Sequence, residues 1–158
     1  MDLAIGIAAF AAALGCGAVG GVFFAFSSFV MPALARLPTP QGIAAMQAIN
    51  VAAVTPAFMT ALFGSGLLCL LLAIGAVLRG PSGGLAWMLA GSLLYLAGAI
   101  GVTMLCNVPR NNRLAALDPT SSAADASWRA YLQGWTAWNH LRAAAALAAA
   151  GCFIAALA

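Results

Sequence analysis

The side chains of this chain that could do chemistry are few, and most of them stand in three short segments. His140 is the only histidine, flanked by Asn139 and Arg142, and it is the one group whose ordinary pKa makes it a base near neutral pH. Arg142 cannot serve as a base but can stabilise a nearby negative charge, as can the amides of Asn107 and Asn139. Such a set suits proton removal from a weakly acidic group and stabilisation of the oxyanion that results. A helical step of about 100° per residue puts His140 and Arg142 about 200° apart. His140 acting with Asn107 and Asn139 is therefore a better expectation than His140 acting with Arg142.

The same step divides the last apolar segment into two stripes. Arg129, Gln133, Thr136 and His140 form one, and Tyr131, Trp135, Trp138 and Arg142 form the other, with Asn139 between them. The polar stripe is expected to face inward, because its continuation through Ala143, Ala144 and Leu147 is small and packable. Upstream, Ser92, Tyr95, Ala99, Thr103 and Cys106 share a face that ends in Asn107, followed by Pro109, Arg110, Asn111 and Asn112. Phe23, Phe24, Phe26, Ser27 and Ser28, then Met46, Gln47 and Asn50, complete what would be an apolar, aromatic pocket with a few fixed polar groups, the usual character of a small-molecule site. Each element also has a plainer reading. Trp128, Tyr131 and Trp138 would equally serve as an interfacial aromatic belt, and Ser27, Ser28, Thr55 and Thr103 can be satisfied by their own preceding helical turn.

Other chemistries find little support. One His, no Glu, loop Asp residues and dispersed cysteines at 16, 69, 106 and 152 do not supply three or four converging metal ligands. A haem with His140 as ligand would lack a second axial candidate and an attachment motif. No carboxylate stands inside an apolar segment, where proton-coupled transport usually needs one.

The elements that must position these groups follow from composition. Of 158 residues 65% are hydrophobic and 6% charged, and the mean hydropathy of +1.04 is far above that of a soluble domain. About 20 apolar residues span a bilayer core, and four segments qualify, at roughly 3–30, 51–78, 85–106 and 131–157. The expected fold is all-α: an integral membrane four-helix bundle in a single domain over 1–158, with antiparallel neighbours. Pro32 and the Pro38–Pro40 pair should end the first span, and a short interfacial helix over 41–50 should feed the second. The turn at 79–84 is tight enough to make its flanking spans antiparallel. Asp118-Pro119-Thr120-Ser121-Ser122 reads as a turn followed by a helix cap. The N-terminal run, with Asp2 ahead of it, is too long for a signal-peptide core and reads as the first span. Arg36, Arg110, Arg113 and Arg129 share one face against Arg79 on the other, so the long loops are expected in the cytoplasm and both termini outside. Six Arg and three Asp cannot build the basic patch that nucleic acid needs. The partners expected are membrane lipid and a hydrophobic small molecule, and a homodimer contact would use the Gly17 to Gly21 spacing.

Three fragments then combine into a resemblance: residues 24–32 (FAFSSFVMP) with Met46-Gln47-x-x-Asn50, next Asn107-Val108-Pro109-x-Asn111, and last Trp135-x-x-Trp138-Asn139-His140-x-Arg142. In that order and spacing they resemble the anthrone oxygenase-like family of small four-helix membrane proteins, over nearly the whole chain. The resemblance implies an oxidoreductase of the bacterial inner membrane that turns anthrones or related hydroquinone-like aromatics into quinones, with molecular oxygen as co-substrate and no cofactor. By matching motif position it points to Asn50, Asn107, Asn111, Trp135, Asn139, His140 and Arg142. Taken with the chemistry of the residues above, the expected catalytic set is His140, Asn107, Asn139 and Arg142, and the expected substrate-binding set is Asn50, Asn111, Trp135, Tyr131, Trp138, Phe24, Ser27 and Thr103. Rival readings are a non-catalytic protein that binds a lipid, quinone or hydrophobic metabolite, and a small exporter.

Overall fold

Five helices make up the computed structural model, which describes residues 3–80 and 83–158. They are α1 (Leu3–Leu34), α2 (Thr39–Ala52), α3 (Pro56–Arg79), α4 (Gly84–Ala115) and α5 (Ala124–Leu157), and all but α2 are long and apolar enough to cross a membrane. The Asp2 and Pro81-Ser82 positions lie outside the described residues.

Cross-helix contacts fix the topology. Phe23 meets Asn139 and Gly20 meets Leu147 between α1 and α5. Ser92 donates to the Cys69 carbonyl and Tyr95 to the Leu62 carbonyl between α3 and α4. In both pairs, residues that rise along one helix fall along the other, so sequence neighbours and the closing α1–α5 pair are antiparallel. The apolar stripe Ala9, Ala12, Cys16, Val19 and Phe23 on α1 packs on the alanine face of α5, Ala143, Ala146, Ala149 and Ala150. Small side chains bring the backbones close, which is how membrane helices gain packing energy without a hydrophobic drive. Bulkier Leu3, Ile7, Phe10, Leu70, Val77 and Leu93 point outward. A second, smaller core lies at the Arg-rich end, where Met31, Ile43, Met46, Leu114, Trp128, Tyr131 and Trp135 join α2 to the bundle.

Proline does not stop the helices as expected. α1 continues through Pro32 to Leu34 and α4 through Pro109 to Ala115. In each case a π-helical stretch, Phe26–Val30 or Thr103–Asn107, ends two residues before the proline. Widening the turn draws the carbonyl four residues back away from the proline ring and absorbs the missing N–H. The interfacial helix forms, slightly longer than expected, and α3 starts at Pro56 behind Thr55, whose hydroxyl accepts the Phe58 N–H at 3.2 Å. The turn at Asp118 forms as well: its carboxylate accepts the Thr120 N–H and hydroxyl, both at 2.8 Å, which hold the Asp118 pKa below its ordinary value. The cap does not. α5 begins at Ala124 with Ala123 before it and no side-chain capping bond.

Close packing falls on other glycines than Gly17 and Gly21. A Cβ at Gly21 would meet nothing within 4 Å, and one at Gly17 only Ala150 at 3.9 Å, whereas at Gly98 it would run into Ala145 of α5. Gly98→Val should therefore destabilise the detergent-solubilised protein by about 1–3 kcal/mol through overpacking, while Gly21→Val leaves the melting temperature in place. Equal losses in the two thermal melts would contradict this packing.

Candidate functional site

α5 positions most of the site, and it turns its aromatic stripe inward. Trp128, Tyr131, Trp135, Asn139 and Arg142 are buried, whereas Arg129, Gln133 and His140 are exposed. The expected inward polar stripe is thus reversed. Three large aromatic rings bury far more apolar surface than the rival stripe offers. Trp128 stacks on Tyr131 at 5.6 Å and Tyr131 on Trp135 at 6.2 Å. The polar tips are satisfied inside as well: Asn111 Oδ1 accepts from the Tyr131 hydroxyl at 2.9 Å and from Trp135 Nε1 at 2.8 Å. The interfacial-belt reading therefore fails for Trp128 and Tyr131.

Deeper along the same stripe, Arg142 is buried in the span. One terminal nitrogen donates to Thr103 Oγ1 at 3.1 Å and the other to Asn139 Oδ1. Its guanidinium carbon sits 4.1 Å from the Phe23 ring centre and 5.1 Å from that of Trp135, within cation–π range. None of these partners is anionic, and Nε has no partner. Asn139 is itself held from behind, donating to the Phe23 carbonyl and the Ser27 hydroxyl, both at 2.7 Å. Thr103 donates onward to the Ala99 carbonyl at 2.7 Å, which leaves its oxygen to face the guanidinium.

These groups border a cavity of about 460 Å³ between α1, the end of α2, the start of α3, and the inner faces of α4 and α5. Its walls are chiefly apolar and aromatic, with Phe23, Phe26, Phe58, Met59 and Trp135 among them, and the polar exceptions are Asn50, Thr103, Asn111 and Arg142. Val54, Phe63 and Met104 form part of its outer rim and stay exposed on the apolar exterior. The π-helical stretches of α1, α3 and α4 each contribute wall residues: Phe26, Leu62 with Phe63, and Thr103 with Met104. Such stretches commonly mark functional positions because they re-aim side chains within a helix.

The structure brings Asn50, Asn111, Thr103, Trp135 and Arg142 together at the cavity, but not every expected site residue. Asn139 and Ser27 lie behind Arg142 as its support. Asn107 is buried with Nδ2 on the Trp135 carbonyl at 3.1 Å and Oδ1 unpartnered, and Tyr131 reaches the site through Asn111. His140, Phe24 and Trp138 point away, His140 into a shallow outer groove beside Met31, Pro32 and Thr136. His140 therefore meets neither Asn107 nor the cavity, a direct result of the 200° that separates it from Arg142. Gln47 is a clamp instead of a pocket group, donating to the Leu114 and Leu117 carbonyls at 2.8 and 3.0 Å. Phe58, Met59 and Leu62 of α3 went unanticipated as wall residues, since nothing in their local sequence separates them from ordinary lipid-facing residues. The cysteines are also less dispersed than their spacing suggested, with Cys16 and Cys69 sulfurs 3.8 Å apart in the core. Among the described residues, no three His, Cys, Asp or Glu side chains gather where a metal could be held.

A family model described as Anthrone oxygenase matches residues 56–152, more than half of the chain. No curated protein and no solved structure matches it. The matched stretch includes Thr103, Asn107, Asn111, Trp135, Asn139 and Arg142, and stops short of Asn50 and the Phe23 wall.

Asn111 should act as the hinge pin of the aromatic column. Replacing it with Leu strands the Tyr131 hydroxyl and the Trp135 indole N–H, which should cost about 1–3 kcal/mol in thermal or denaturant unfolding. In a variant that retains Trp135 alone, the same change should shift the tryptophan emission to the blue. Unchanged stability and emission would rule out the shared acceptor.

Proposed function

This chain belongs to the anthrone oxygenase family, and we propose that it is a membrane-embedded oxygenase acting on a flat, hydrophobic aromatic substrate in the cavity beside Arg142. The observation that carries the reading is the pairing of an aromatic-walled cavity with a buried guanidinium that has no counter-charge.

An anthrone-like substrate carries a methylene between two aryl rings, para-disposed to a carbonyl through conjugation. Loss of one proton gives an anion whose charge spreads onto the carbonyl oxygen. That anion can pass an electron to oxygen directly and then combine with the reduced oxygen to form a carbon-bound hydroperoxide. Breaking the O–O bond with loss of the second methylene hydrogen gives the new carbonyl and one water. Both electron pairs come from the substrate, so no further reductant is required. The cavity's part is positioning and charge stabilisation. Phe26, Phe58 and Trp135 offer faces for stacking, Arg142 supports the oxyanion, and Asn50 and Asn111 offer amide donors. Apolar walls favour both a flat hydrocarbon framework and dissolved oxygen. The exposed apolar rim at Val54, Phe63 and Met104 suits entry of the substrate sideways from lipid. The Arg-rich end, where the cavity lies, is the end that positive charge would retain in the cytoplasm.

His140 has no part in this scheme. Its exposure on the opposite face of α5 removes it from any ligand in the cavity.

The test is oxygen uptake and quinone absorbance on adding a model anthrone to the purified protein in nanodiscs. Arg142→Met should lower turnover by about 10²–10³-fold, as loss of an oxyanion donor does elsewhere. It should not lower the melting temperature, because an apolar side chain of similar length replaces an unpaired buried charge. His140→Ala should leave turnover unchanged. Full activity in Arg142→Met, or its loss in a folded His140→Ala protein, would reverse the assignment.

A further inference from the structure

The polar groups on the cavity wall are all of one kind. Asn111 has both hydrogen bonds from Tyr131 and Trp135 on its oxygen and so faces any ligand with its amide N–H groups. Asn50 Nδ2 and Arg142 Nε are buried donors with no partner. The Thr103 hydroxyl gives its proton to Ala99 and meets the guanidinium with its oxygen. A ligand that satisfied this wall would bring acceptors and, to cancel the charge, an anion.

No proton acceptor faces the same space. α1 and α3 contribute only apolar groups to the wall, α2 adds Asn50, α4 adds Thr103 and Asn111, and α5 adds Trp135 and Arg142. Tyr131 is not among the wall residues, and its hydroxyl donates to Asn111 Oδ1. Asp118 and Asp125 are exposed on the connection before α5 and at its first turn, and His140 is exposed on its outer side. A carboxylate, imidazole or thiolate able to take a proton from a ligand is absent from the described wall.

From these two facts we propose that the cavity selects the conjugate base of a flat, apolar acid, a phenol or an enolisable aryl ketone, whose proton passes to water and not to a side chain. The ligand's own O–H or C–H bond breaks, its proton goes to buffer, and its electron pair stays as an oxyanion against Arg142 and Asn50. Anion and guanidinium then form a neutral pair inside the apolar interior, relieving the cost of a buried cation that the empty site carries alone. Neutral aromatics of the same shape fit the walls but leave the charge uncancelled. This rests on the cavity being the substrate site of the proposed oxygenase, and it narrows the substrates to those acidic enough to ionise unaided.

2-Hydroxyanthraquinone tests it independently of turnover, since it has no methylene left to oxidise and its visible absorption moves to the red on ionisation. Titrated in nanodiscs that contain the protein, its ionisation midpoint should fall by at least about one pH unit relative to empty nanodiscs, which is tenfold or greater preference for the anion. Arg142→Gln and Arg142→Met should each abolish the fall, and His140→Ala should keep it. A midpoint unchanged or raised, as an apolar site imposes on a neutral ligand, would overturn the proposal, as would a fall that survives in both folded Arg142 variants. A lowered midpoint in a protein that takes up no oxygen with anthrones would keep the anion site and reject the oxygenase. Oxygen uptake without the lowered midpoint would do the opposite.

Discussion

A cation held inside an apolar bundle without a counter-ion sets the terms for everything near it. An isolated guanidinium in hydrocarbon is costly even after snorkelling and water penetration are allowed for, and Arg142 does not snorkel: it is buried, with its head between Phe23 and Trp135. The bundle offsets part of the cost with neutral groups. Two ring faces contribute, each worth up to about 2 kcal/mol when desolvated. Two oxygens accept from the terminal nitrogens, each itself oriented by a further bond, Thr103 by Ala99 and Asn139 by Phe23 and Ser27. Three helices, α1, α4 and α5, are thereby committed to one side chain, and Nε is still left without a partner. A purely structural role would favour an apolar residue here, since replacing buried charge with packed hydrocarbon is usually neutral or stabilising.

That commitment explains why the helices around the cavity depart from regular α geometry. Thr103 opens one π-helical stretch, and Phe26 and Ser27 open another. A regular α-helix carries its side chains round at a constant step, and a π turn inserts an extra residue and rotates all that follows. Pro32 and Pro109, each two residues beyond a π stretch, hold these widened turns in place because the ring resists the tighter register behind it. At the other end of the molecule the alanine and glycine seam between α1 and α5 needs no such device. Three of the π stretches border the cavity, while a fourth, Leu94–Gly101, lies in the core, where Gly98 packs on Ala145 of the regular α5.

How far the sequence foretold this depends on which property each residue expresses. Composition and segment length were enough for the four spans, and the small residues from Ala143 onward foretold the α5 seam. Thr103 and Arg142 stood out because polar groups in apolar runs are costly and need a reason, and Asn50, Asn111 and Trp135 stood in the fragments that carry the resemblance. The face of α5 was not legible, since both stripes mixed polar and apolar groups and only the tertiary partners decide between them. Asn111, 20 and 24 residues away from the two rings it serves, tips that balance, and no periodicity on α5 reveals it. His140 looked chemical by residue type alone, and exposure on the outer side cancels that. The prolines were read as stops because their effect on an α register was clear, while the widened turns that accommodate them leave no pattern of their own.

The placement of the site in the membrane follows from the same electrostatics. In water a phenolate or enolate is solvated from every side, and a single arginine adds little, because the attraction between unit charges a few ångströms apart is only about 1 kcal/mol at high dielectric. Within a bundle core the same pair is far less screened, so one fixed guanidinium with two amide donors can favour an anion that bulk lipid would reject. The apolar framework of the ligand gains from burial in either ionisation state, and only the charge distinguishes them. A site of this construction therefore separates two tasks that a soluble enzyme must often combine. In the proposed reading, hydrocarbon walls concentrate the substrate and oxygen, and the guanidinium with its amide donors selects the protonation state.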